Sequence, residues 1–193
     1  MRKSNNKIDK RDVFIEGNHV ILKALSEEDV LNTNWYGWFN DEKITEYMQK
    51  HHFTNTKAKQ LDYYKKYIEN NPQKLQVGIW DKQDNVMIGV ISLSDIDFLN
   101  RKCEIAGFIG EKKYHNFKFI IEACRLITKH AFDQLNMHKV YGGTFKKEVA
   151  LMCCRVLGFK EEGIRRSEIY KNGKYHDVHV IGLLREDFYA KYE

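Results

Sequence analysis

Four cationic side chains, Lys112, Lys113, His115 and Lys118, crowd a turn between the apolar run from Cys103 to Gly110 and a segment in which Phe117, Ile120, Ala123, Ile127 and Ala131 recur at helical spacing. A strand that passes through a basic turn into a helix start presents unsatisfied N–H groups and a positive dipole end, which suits a phosphate-sized anion. The turn holds no glycine, although loops that cradle phosphate use glycine so that backbone can approach the ligand. Other reactive side chains are less organised. His176 and His179 stand three apart, on opposite faces of a strand, and His51, His52, His130 and His138 match no ligand spacing, so no metal site is expected. Cys103, Cys124, Cys153 and Cys154 form neither a disulfide framework nor a Cys-x-x-Cys pair, and reduced thiols are expected.

The elements that must position these groups follow from composition and pattern. A chain of 193 residues, 42% hydrophobic, can bury one core, so a single domain over 14–193 is expected behind a flexible tail at 1–13. No run of about 18 apolar residues is present to span a membrane. The polar start MRKSNNKIDKRD lacks the apolar centre of a secretory signal, and a cytoplasmic location is expected. The formal charge of +5 is modest, and the basic residues at 2–11 and 65–66 read as solvated surface, so no nucleic-acid partner is expected.

HVILKA at 19–24 reads as a strand, and Ser26 to Asp29 as a capping box opening a helix. A second helix is expected from Asn40 or Asp41, and a third from Thr56 to Glu69, stopping before Asn71-Pro72. Strands at 75–81 and 85–96 are joined by an Asp84-Asn85 turn, and a strand at 102–110 pairs with the second of them. A helix at 118–135, a strand at 138–144 and a helix at 147–157 follow. The pair at 159–184 turns at Asn172-Gly173. The order β-α-α-α-β-β-β-α-β-α-β-β implies an α/β architecture, a mixed sheet with helices on its faces.

Five stretches carry a resemblance: VILKALSEEDV (20–30), WYGWFNDEKITEYM (35–48), MIGVISL (87–93), LNMHKVYGGTF (135–145) and VLGFKEEGIRRSEIYKNGKYHDVHVIGLL (156–184). From His19 to about Phe188 the chain resembles the GNAT-superfamily N-acyltransferases, in particular the branch of RimJ/RimL-type ribosomal-protein and bacterial amino-sugar N-acetyltransferases. The resemblance implies a central mixed, mostly antiparallel sheet and acetyl-CoA as co-substrate. The pantetheine of acetyl-CoA would lie between splayed parallel strands, here 103–110 and 138–144. Its pyrophosphate would lie on the turn that in this family reads Gln/Arg-x-x-Gly-x-Gly/Ala. That turn falls on His115, Asn116, Phe117, Lys118, Phe119 and Ile120, with Lys118 and Ile120 at the glycine positions. Lysine could add a cation there, whereas isoleucine would narrow the space where backbone meets oxygen.

By the same resemblance, backbone N–H groups of Phe108, Ile109 and Gly110 would hold the thioester oxygen. Glu104 would act as base, or else make a surface salt bridge. Lys147 and Cys154 occupy the places of the family's asparagine and tyrosine; Cys154 would either return a proton to the leaving thiolate or simply pack. Trp35, Trp38 and Phe39 would border the acceptor pocket or else pack as core aromatics, Tyr170 on the other side is a candidate of the same kind, and Asp177 would orient substrate or hold backbone. The implied reaction is acetyl transfer to a primary amine, that of a nucleotide-linked amino sugar or a protein N-terminus, in a monomer or a homodimer. Two alternatives stay open: a GNAT-fold binding module that has lost its donor, and a different phosphorylated or acyl-CoA ligand on the rim of Lys112, Lys113 and Lys118.

Overall fold

VFIE, with side chains alternately half-buried and exposed, forms a strand, β1 (Val13–Glu16), which pairs antiparallel with β2 (Val20–Ala24). The computed structural model describes residues 12–49 and 52–192. Val13 is therefore part of the sheet and not of a tail, while the tail expectation for 1–11 and the reading of His51 lie outside the described residues. Ser26 caps α1 (Glu27–Asn32) by accepting from Asp29 N at 3.2 Å, and Asp29 Oδ2 accepts from Ser26 N at 2.9 Å, the reciprocal pair expected of the motif.

After α2 (Trp35–Trp38) the chain turns repeatedly to residue 49, where the sequence suggests a helix. Asp41 Oδ1 accepts from Lys43 N and Ile44 N, an Asx-type turn. Lys171 Nζ, buried, donates to the carbonyls of Thr45 and Met48, which a helix would have offered to its own next turn. Then come α3 (Lys57–Tyr64), continued by widened turns over 65–69, and the meander β3 (Leu75–Asp81), β4 (Val86–Asp97) and β5 (Lys102–Ile109). The remainder is α4 (Phe117–Asp133), β6 (Lys139–Thr144), α5 (Lys147–Met152, widened through Leu157), β7 (Lys160–Lys171) and β8 (Lys174–Leu184). A last helix, α6 (Arg185–Tyr192), is not apparent from the pattern; it seats Phe188 on Phe132 with ring centroids 5.4 Å apart.

The strand order is β1-β2-β3-β4-β5-β6-β8-β7, and among the described residues only β5 and β6 run parallel. Phe119, Ala123, Ile127 and Ala131 of α4 follow an i, i+4 row and bury one sheet face with Val20, Ile79, Ile91 and Val140. The opposite face is covered by α1, α2 and α3 through Val30, Trp35, Trp38 and Tyr64, against Val90 and Phe108.

Candidate active site

Two half-sheets meet at three residue pairs, Lys102 with Lys139, Cys103 with Val140 and Glu104 with Tyr141. Beyond them β5 stays on β4 and β6 on β8, so the two parallel strands diverge and leave a cleft. Gly142 lies at the divergence, where a Cβ would stand 3.2 Å from the Ile105 carbonyl. The far edge of β5 decides which backbone groups enter the cleft. Gly110 N donates to Ile88 O at 2.7 Å, and antiparallel alternation turns the N–H of Phe108, opposite Val90, toward β4 as well. This corrects the expected oxyanion set: Phe108 and Gly110 are spent on the ladder, and the donors facing the cleft are those of Gly107 and Ile109.

Glu104 sits at the last paired position. Its neighbours in register, Ser94 on β4 and Tyr141 on β6, share its face, the one carrying α1 to α3. Among the described residues its side chain takes part in no ion pair or hydrogen bond, so the salt-bridge alternative finds no partner there. Burial raises its proton affinity above that of an ordinary glutamate, the Asp95 carboxylate adds to the rise and Arg165 opposes it. Asp95 stands at φ +49° where the register of β4 shifts between Ser94 and Asp97, a bulge that re-aims the side chain. Neither Asp95 nor Arg165 stands out in the sequence; an aspartate inside a strand-like run was the only signal. The acid limb of kcat/KM is expected to move to lower pH in Asp95→Asn and to higher pH in Arg165→Gln. A pH-rate profile of the three proteins checks both signs; shifts in the same direction would disprove this account of Glu104.

The basic turn is less free than its composition suggests. Lys112 pairs with Asp41 at 2.5 Å and Lys113 with Asp84 at 2.8 Å, so two of the three lysines on the expected anion rim already have carboxylate partners. His115 Nε2–H donates to the Ile109 carbonyl at 3.0 Å. Asn116 caps α4, its Oδ1 accepting from Lys118 N at 3.0 Å, which places a side-chain oxygen where a phosphate oxygen would be received. Phe117 is exposed, Phe119 is buried edge-on to Tyr114, and Ile120 packs partly against the core. Phe119 is therefore a core side chain. Lys118 is exposed, with Nζ 4.6 Å from the centroid of the Phe119 ring.

On α5, Lys147 is exposed and Cys154 half-buried. Burial, and then the nearby Glu161 carboxylate, raise the Cys154 thiol, which keeps it protonated at neutral pH and available as a proton donor. Glu161 Oε1 lies 3.1 Å from His179 Nδ1. Trp35 and Trp38, expected to wall the acceptor pocket, are both 0% exposed and form core, Trp38 Nε1 donating to Glu111 Oε1 at 2.9 Å. Phe39 packs edge-on to Phe108. Tyr170 meets Tyr175 edge-on beside the Asn172-Gly173 turn, five residues along β7 from Arg165, and is not brought to Glu104. Asp177 accepts from Ser167 N at 2.8 Å and so holds the irregular stretch of β7 where Ser167 has φ +51°. Its observed role is to shape the strand that carries Arg165.

Comparison with known proteins accords with this geometry. A family model described as an acetyltransferase (GNAT) domain matches residues 19–160. The protein named probable N-acetyltransferase YjcK of Bacillus subtilis is 29% identical over 132 residues, 67% of this chain and 71% of the relative. N-acetyltransferase p20 of Bacillus licheniformis, named as uncharacterized, is 24% identical over 85% of this chain and 90% of its own. Spermidine N-acetyltransferase from Vibrio cholerae, solved with CoA and spermine, superposes with a TM-score of 0.78 at 23% identity, covering 89% of this chain and 98% of that one, a likeness of fold.

Proposed function

The chain belongs to the GNAT acetyltransferase family and is an acyltransferase, and on that premise we propose that it moves an acetyl group from acetyl-CoA to the primary amine of a nucleotide-linked amino sugar, with a protein N-terminus as the second acceptor. The carrying observation is Glu104, a partly buried carboxylate whose side chain has no partner among the described residues, at the point where β5 and β6 diverge and beside backbone N–H groups turned away from β4. The CoA moiety fits the cleft edge of β5 and the α4 start, where Asn116 Oδ1 can give way to a phosphate oxygen and Lys118 supplies charge. The absence of loop glycines narrows that seat without removing the donors.

The steps assigned to the chain's own groups balance. Glu104 accepts a proton from the acceptor ammonium, freeing the lone pair that attacks the acetyl carbonyl. The N–H groups of Gly107 and Ile109 hold the oxygen as negative charge gathers on it. The carbon–sulfur bond then breaks, Cys154 S–H gives a proton to the departing sulfur, and the second proton shed by the nitrogen restores the Cys154 thiol, so the one proton released overall is the one Glu104 took. Action in the cytoplasm agrees with the four free cysteines, which persist as thiols in a reducing compartment.

Two measurements test the reading. CoA at about 100 times its Kd is expected to stabilise the folded protein by about 2.7 kcal/mol, read as a rise in Tm. Free-thiol release from acetyl-CoA is expected with amino-sugar nucleotides. A binding module without donor chemistry would give no thiol release with any amine, and that result would overturn the proposal.

A further inference from the structure

An open depression of about 240 Å³ is lined by Tyr63, Tyr67, Asn71, Lys74, Ser94 and Asp95 among others, and Ser94 pairs in register with Glu104 on the same sheet face. Its charge is polarised. Asp95 lies at the end that acts on Glu104, so the two carboxylates form an acidic end suited to an ammonium. Lys74 marks the other end. Its Nζ donates to Tyr63 Oη at 2.7 Å and lies 5.1 Å from the centroid of that ring; among the described residues it meets no carboxylate. Lys66 stands 5.1 Å over the neighbouring Tyr67 ring and adds positive charge on that side.

Register supplies the spacing. Lys74 directly precedes Leu75, which pairs with Leu93, and Ser94 pairs with Glu104, so Lys74, Ser94 and Glu104 belong to one row across β3, β4 and β5. Neighbouring strands lie about 4.8 Å apart, which sets the backbones at Lys74 and Glu104 roughly 10 Å apart. A pyranose ring with an amine on one side and an anionic substituent on the other is of the size to span a separation of this order. The tyrosine wall, with amide and hydroxyl side chains around it, suits such a ring.

We propose that this depression is the acceptor's recognition subsite and that Lys74, steadied by the Tyr63 hydroxyl, binds an anionic group, phosphate or carboxylate, carried by the acceptor on the far side from its amine. The subsite thereby disfavours polyamines, whose second ammonium would meet Lys74. The assignment deepens the transferase reading and depends on it for which end of the acceptor lies at Glu104.

Equilibrium binding tests the subsite without turnover. With CoA present, calorimetry would compare a free hexosamine, the same hexosamine as a phosphate ester, a carboxylated hexosamine and spermidine. The intact protein is expected to bind the anionic forms about tenfold more tightly than the free hexosamine, the scale of one hydrogen bond to a charged group. Lys74→Met is expected to erase that preference and Lys74→Glu to reverse it toward spermidine. The phosphate and carboxylate arms identify which anion is read. Equal binding of anionic and neutral hexosamines by the unaltered protein, or a preference that survives Lys74→Met, overturns the inference. Tyr63→Phe, which keeps the ring and removes the hydroxyl, is expected to weaken anionic acceptors alone. An intact binding preference without any thiol release would leave the subsite standing and refute the transferase reading.

Discussion

Glu104→Gln is expected to lower kcat/KM for the amine acceptor by about 10²- to 10⁴-fold, the usual contribution of a positioned proton acceptor. The substitution keeps shape and hydrogen-bonding capacity but cannot take a proton from an ammonium. Among the described residues the Glu104 side chain has no hydrogen bond or ion pair to lose, so fold and CoA affinity are expected to stay within about twofold of the parent, which separates a chemical defect from a structural one. The acid limb of the pH profile should disappear with the carboxylate, since it reports the raised proton affinity of this group. Steady-state kinetics beside a CoA titration would measure both; a variant within about threefold of the parent in kcat/KM would remove Glu104 from the role of base.

Gly110→Ala is expected to destabilise the protein by about 3 kcal/mol, lowering Tm by roughly 6–12 °C for a domain of this size. A Cβ at Gly110 would stand 2.1 Å from Trp38 Cδ2 and 2.5 Å from Cε2 and Cε3. The indole cannot retreat easily. It is fully buried among Val30, Trp35, Tyr64 and Val90, meets Phe108 edge-on at 5.9 Å, and is tethered to Glu111 Oε1. Any shift would also carry Glu111, the residue that leads into the basic turn, so weaker CoA binding should accompany the lower Tm. Trp38→Leu combined with Gly110→Ala should cost less than the sum of the two single changes, because both act on one contact. A Tm for Gly110→Ala within about 2 °C of the parent would show that the close approach imposes no constraint.

These two residues illustrate how differently parts of the site can be read. Gly110 closes a short apolar run before a basic turn, and a glycine there is visible in the sequence. Its reason, an indole from α2 pressed on the backbone, is not. The expected pocket walls Trp35 and Trp38 went inward because α2 is a single turn lodged between the sheet and α3, a burial that aromatic identity alone does not reveal. The helix expected from Asn40 or Asp41 failed for a long-range reason: Lys171, from the far hairpin, captures the carbonyls of Thr45 and Met48.

What the sequence determined by itself is local. The capping box at Ser26, the helix row from Phe119 to Ala131, the Asn172-Gly173 turn and the strand that leads through a basic turn into α4 all depend on groups a few residues apart, whose sterics and hydrogen bonds are written in their order. The resemblance carried by the stretches 20–30, 35–48, 87–93, 135–145 and 156–184 extended to fold and reaction class. Tertiary structure alone decided which N–H groups of β5 face the cleft, because that depends on the register with β4. It also decided that Lys112 and Lys113 are held by Asp41 and Asp84, that Asp95 and Arg165 act on Glu104 from β4 and β7, and that Lys74 stands in the same row. Charges act on one another through space over a few ångströms, and only the folded chain establishes which ones lie that close.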